Sequence, residues 1–104
     1  MLFGNRLKEL RKKSGLLQKH IAAELDIDTP MYSKLERGIR LPKKEQLSIL
    51  AKLLKVTDKE LLTLYLADKL LKLTNEDPDI NINAIYLAHN QLRLNYNLPP
   101  IDHI

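Results

Sequence analysis

The sequence predicts an all-α chain of six helices. Three observations carry this: apolar residues recur at helical spacing along most of its length, Gly, Pro or Asp-Thr signals punctuate the runs, and no run is long and apolar enough to span a membrane. Residues 2 to 14 read as an amphipathic helix with Phe3, Leu7 and Leu10 inward and Arg6, Lys8, Glu9, Lys12 and Lys13 outward, stopped by Gly15. Gln18 to Gly38 then reads as two short helices joined by a tight turn. Ile21, Ala22 and Leu25 share one face of the first, Ile27 plugs the turn, and Tyr32 and Leu35 form a narrow apolar stripe on the second. Asp28, Thr29 and Pro30 make a start signal: a side-chain cap, then a residue in the first turn that needs no donor. Thr29, Ser33 and Lys34 are left facing outward. Asp26 stands in the turn before them, and aspartate tolerates the positive φ that such a turn requires.

Gly38 to Pro42 is a loop, in which Gly38 stops one helix and Pro42 leads to the next. A fourth helix, residues 43 to 55, buries Leu47, Leu50, Ala51 and Leu54. Thr57 to Glu60 opens a fifth with the spacing of a capping box. From 60 to 73 apolar residues cover most of the circumference, so this helix needs cover on more than one side. After the break at Asn75 to Pro78, residues 79 to 95 form a sixth helix with Ile82, Ile85, Tyr86, Ala88, Leu92 and Leu94 available for packing, and 97 to 104 form an irregular tail.

With 104 residues, 44% of them hydrophobic, the chain can bury a single modest core. Without cysteine it has neither disulfides nor a thiolate metal site. Charged residues follow the first four positions, so neither a signal peptide nor a membrane segment is expected and a cytoplasmic protein is the default. The charge is uneven: residues 1–55 hold 13 Lys and Arg against 6 Asp and Glu, a net +7, while residues 56–104 hold 4 against 7, a net −3. The basic half contains the paired helices. A polyanion partner fits that half, because neutralising phosphates releases counterions; solvated lysine faces would give the same count.

Arg6 to Gly15, Gln18, Ala22, Ser33, Leu35-Glu36-Arg37-Gly38, Pro42 and Leu47 to Leu62 together resemble the Xre/Cro and lambda-repressor-like helix-turn-helix transcriptional regulators. The resemblance covers about the first two thirds of the chain. It implies a five-helix DNA-binding domain, here over residues 1–66, followed by an additional C-terminal helix in an extension, 67–96, that serves dimerisation. By position within that family, Thr29, Pro30, Ser33 and Lys34 would read bases in double-stranded DNA. Their chemistry fits: Lys34 can donate to guanine, Thr29 and Ser33 can donate or accept, and the Pro30 ring can pack on a thymine methyl. Gln18, Lys19, Arg37, Arg40, Lys43 and Lys44 would meet the backbone, with Gln18 either clamping a phosphate or bracing a neighbour. Arg11 would pair with Glu36 to fix the first helix against the third. Two departures from the family pattern stand out: Leu17 replaces a capping Thr or Ser, leaving only a backbone-amide clamp there, and Asp26 replaces a turn glycine.

A homodimer would present two such heads to an inverted repeat with half-sites about one turn apart. Leu66, Leu70, Leu73, Ile85 and Leu92 are its candidate surface; the alternative is that the sixth helix completes the core of a monomer. Regulation would follow from occupancy, as a repressor blocking polymerase or an activator recruiting it. The family resemblance extends to the controller proteins of restriction–modification systems and to small phage repressors, both short and dimeric. No enzyme, cofactor or metal centre is expected. His20, His89 and His103 have no paired ligand spacing, and the three glycines form no phosphate-cradling loop. The other functional class is an antitoxin or protein-interaction module whose apolar C-terminal helices hold a partner protein.

Overall fold

A computed structural model describes residues 1–101; His103 and the end of the expected tail lie outside the described residues. The helices run α1 (Leu2–Lys13), α2 (Gln18–Glu24), α3 (Thr29–Glu36), α4 (Lys44–Leu54), α5 (Asp58–Leu71) and α6 (Pro78–Asn95), with no strand among the described residues. None of these helices is long and apolar enough to cross a membrane. The chain divides into two compact units, Met1–Leu71 and Lys72–Ile104. The expected boundary at 66/67 falls inside α5, which continues unbroken to Leu71.

In the first unit, α1 packs on α3 and α5, α2 on α3 and α4, and α4 on α5. The core is built from Phe3, Leu7 and Leu10 of α1, Ile21 and Ala22 of α2 with Leu25, Tyr32 and Leu35 of α3, Leu47, Leu50, Ala51 and Leu54 of α4, and Leu61 and Tyr65 of α5. Each set repeats at helical spacing, which is why it can be read from the sequence. The turn between α2 and α3 places Asp26 at φ 56, and Gly38 takes φ 73 after α3.

In three places a helix start is served by a residue that the sequence did not single out for it, or a local cap is left incomplete. At α5, Thr57 Oγ1 accepts from Glu60 N–H at 3.1 Å, but the Glu60 carboxylate does not return to close a capping box. It accepts instead from Arg6 Nε and Nη2 at 3.1 and 3.0 Å, because a guanidinium on the facing helix offers two charged donors. At α2, where Leu17 has no capping group, His20 Nδ1 accepts from Leu17 N–H at 3.2 Å. His20 therefore has a capping role beyond that of a solvated residue, and Leu17 N–H is spent before any phosphate arrives. At α1, no acidic residue stands in the first turn. Asp68 of α5 takes that place, accepting from Leu2 N–H at 3.1 Å and Phe3 N–H at 2.8 Å.

Asp68 is wholly buried. Beside it the Phe3 and Tyr65 rings meet edge to face at 6.4 Å between centroids. α5 is thus covered along the side facing α1 and α4, while Leu66, Leu70 and Leu71 on its last turns are exposed.

In the second unit, Asp77 caps α6 by accepting from Ile80 N–H at 3.1 Å. α6 has no buried side chain. Residues 96–101 after it are irregular but tied down. Arg93 Nε donates to Pro99 O at 2.5 Å, and the Asn90 side-chain amide both donates to Ile101 O and accepts from Ile101 N–H.

Candidate nucleic-acid interface

α3 has only eight residues, so its placement depends on what holds its two ends. At the start, Asp28 accepts from Met31 N–H at 2.7 Å and Pro30 occupies the first turn, which leaves Thr29 and Pro30 exposed. At the end, Glu36 is only 5% exposed. Its Oε2 accepts from Arg11 Nε at 2.6 Å, and its Oε1 accepts from Arg11 Nη2 at 3.1 Å and Gln18 Nε2 at 3.2 Å. Arg11 also donates to Leu16 O at 3.1 Å. One carboxylate therefore joins α1, the start of α2 and the end of α3. Gly4 lets α1 come this close: a Cβ there would lie 2.5 Å from Glu36 O and 2.8 Å from Leu35 O.

Burial pushes the Glu36 carboxyl up, but hydrogen bonds from Arg11 and Gln18, with the neighbouring Tyr32 hydroxyl, outweigh it and hold the group below the usual carboxylate range. The Tyr32 ring is wholly buried. Burial, and then the adjacent Glu36 carboxylate, push its phenol far up, so the hydroxyl keeps its proton. That hydroxyl nevertheless makes no hydrogen bond of acceptable geometry among the described residues. Tyr32→Phe is accordingly expected to raise stability by up to about 1 kcal/mol, read as a higher urea midpoint at unchanged slope. A loss of about 1 kcal/mol would instead mean that the hydroxyl bonds to Glu36 in solution.

The expected base-facing residues lie on one helix: Thr29 and Pro30 are exposed, Ser33 and Lys34 half-buried. Lys34 O accepts from Ile39 N–H and Arg40 N–H, which folds the following loop against the end of α3. Arg37, Arg40, Lys43 and Lys44 are exposed along that loop and the start of α4. Arg37 Nε reaches back to Ser33 O at 3.4 Å, and Arg40 Nη1 lies 3.2 Å from Met31 Sδ. Lys43 N–H donates to Gln46 Oε1 at 2.8 Å, which fixes the first turn of α4 beneath these cations. Lys19 is exposed on α2. Gln18, the neighbour with two roles open to it, has its amide engaged on Glu36.

A groove adjoins α3 that sequence reasoning missed. Met1, Asn5 and Lys8 form one wall, and Gln18, Ser33, Glu36 and Arg37 form the rest. Residues 1, 5 and 8 share a helix face, so the spacing was visible; which neighbour that face meets was not.

Residues 7–61 match the family model described as helix-turn-helix. Control protein C.MunI of Mycoplasma sp is 51% identical over 39 residues, covering 36% of this chain and 53% of that protein. The chain thus spans about half the length of the curated relative that it matches. No solved structure matches.

Proposed function

The chain belongs to the Xre-like helix-turn-helix family, whose match takes in α2, α3 and α4 entire, and from that premise we propose that it is a sequence-specific regulator of transcription binding double-stranded DNA as a homodimer. α3 enters the major groove. Lys34, Thr29 and Ser33 meet base edges, Pro30 packs on a thymine methyl, and Lys19, Arg37, Arg40, Lys43 and Lys44 hold phosphates. Gln18 acts by bracing Glu36.

The observation that carries this reading is the fixing of α3 from behind. A helix clamped at its end by the Arg11–Glu36–Gln18 network and capped at its start by Asp28 presents Thr29, Pro30, Ser33 and Lys34 with little freedom, beside a row of exposed cations. Rigid presentation is what groove readout needs. One head makes few base contacts, each worth about 1–3 kcal/mol of discrimination, so two heads on an inverted repeat supply the selectivity that one lacks.

The dimer surface in this reading is built from exposed apolar residues of the C-terminal helices. Leu66, Leu70, Leu73, Ile85 and Leu92 are each at least 40% exposed, and burying such residues against a second copy removes them from water. Residues 67–96 form the dimerisation extension, and a dimer of this kind is expected in the cytoplasm, where the DNA is.

Selection from a random duplex pool at moderate salt tests the proposal. Wild type should recover an inverted repeat, and Lys34→Ala should lower discrimination at the base it contacts by roughly five- to a hundredfold. Weak, salt-sensitive binding with no recovered motif and no response to Lys34→Ala would end this reading. The exposed apolar surface would then favour a module that binds a partner protein.

A further inference from the structure

The groove beside α3 contains side chains that the fold does not use. The Glu36 carboxylate within it already accepts three hydrogen bonds from Arg11 and Gln18, so its charge is matched. The side chains of Asn5, Lys8 and Ser33 make no hydrogen bond or ion pair among the described residues. Among the described residues Arg37 uses only Nε, in a long contact, and its terminal nitrogens make none. The unspent groups are therefore an ammonium, a guanidinium, an amide and a hydroxyl, all able to donate, around a depression whose carboxylate is already neutralised. Arg6 and Glu9 on α1 pair with each other, whereas Lys8, between them in sequence, has no acidic partner among the described residues.

We propose that this groove is a phosphate-binding site, in which Lys8 and Asn5 of α1 act with Arg37 to hold a phosphate of the DNA backbone. The inference rests on the DNA-binding reading and extends it, since it gives α1 a direct contact with the duplex in addition to its structural part. Ser33 and Arg37 connect the groove to the reading helix, so a duplex lying along α3 brings backbone past the mouth of the groove. Two cations and an amide can serve one phosphodiester: the guanidinium and ammonium share its single negative charge over the two non-bridging oxygens, and the amide adds a neutral donor. A contact of this kind fixes register and adds affinity without choosing sequence.

The test uses the full chain and the duplex recovered by selection, beside a scrambled duplex of equal length, with affinity measured across a salt series. Lys8 is exposed, so Lys8→Ala should melt as wild type does. It should weaken binding to both duplexes by the same factor, roughly three- to tenfold, and make the log–log salt dependence shallower by about 1.8, about 0.9 for each half-site of the dimer. Lys8→Arg should restore both. Asn5→Ala should weaken binding with the slope unchanged, because it removes a neutral donor. Lys13→Ala, on α1 outside the groove, measures the effect of removing any lysine. Phosphate-ethylation interference should lose one backbone position per half-site in Lys8→Ala.

Equal behaviour of Lys8→Ala and Lys13→Ala, with wild type still selecting a motif, would overturn the groove and leave the DNA reading intact. Failure of wild type to bind either duplex would overturn both. Inorganic phosphate alone should leave the Asn5 side-chain amide resonance unmoved at millimolar concentration; saturable movement would assign the site to free phosphate and overturn the backbone contact.

Discussion

Glu36→Ala is expected to destabilise the first unit by about 3–5 kcal/mol, since it leaves the Arg11 guanidinium without its partner at a largely buried position. The magnitude follows from what is orphaned. Arg11 loses two charge-assisted hydrogen bonds, and Gln18 loses its acceptor. For a domain of this size such a loss is a large fraction of total stability, and it should lower the melting temperature by about 4–8 °C for each kcal/mol. The same carboxylate sets an acid limit. Its folded value lies below the ordinary 4.5, so its contribution is fully present above that value and is lost as pH falls through the lower, folded one. Urea midpoints measured between pH 7 and pH 3 should fall on acidification in wild type. In Glu36→Gln the group cannot titrate, and that part of the slope should be missing. A Glu36→Ala protein as stable as wild type would remove the network from any role in holding α3.

Asp68→Ala is expected to cost about 2–4 kcal/mol, because it leaves two backbone N–H groups at the start of α1 without an acceptor. Asp68→Asn should lose roughly half of that, because the amide oxygen can still accept while the charge that favours a helix start is gone. Hydrogen exchange discriminates this from a general loss of stability: amides of Leu2, Phe3 and the first turn of α1 should lose protection earliest. α1 carries both Gly4 against the end of α3 and Arg11 against Glu36, so loosening its start should also weaken DNA binding. If Asp68→Ala left the melting temperature and the protection of Leu2 and Phe3 unchanged, α1 would have to be held by its apolar face alone.

These two carboxylates show how far sequence reasoning reaches. Glu36 is legible because the Leu-Glu-Arg-Gly run resembles a family in which this glutamate meets an arginine on the first helix, and both residues stand in place here. Asp68 carries no such sign. In the sequence it is a polar interruption in an apolar helix, next to Lys69. Only the approach of α1 to the end of α5 turns it into a buried cap sixty-six positions from Leu2. Glu60 behaves likewise. Local spacing assigns it to a capping box with Thr57, yet the facing Arg6 takes it, since a charged bidentate partner outcompetes a single backbone amide.

By itself the sequence determined the six helices, the inward faces of α1 to α4 and the helix-turn-helix family. These depend on periodicity, on caps within a few residues and on a dispersed motif, all of which can be read along the chain before it packs. The tertiary structure alone decided that Asp68 caps α1, that Gln18 braces Glu36, that Gly4 admits the end of α3, and that Asn5 and Lys8 open onto the same groove as Ser33 and Arg37. Each of these joins residues distant in sequence, and a contact of that kind exists only once the helices have packed.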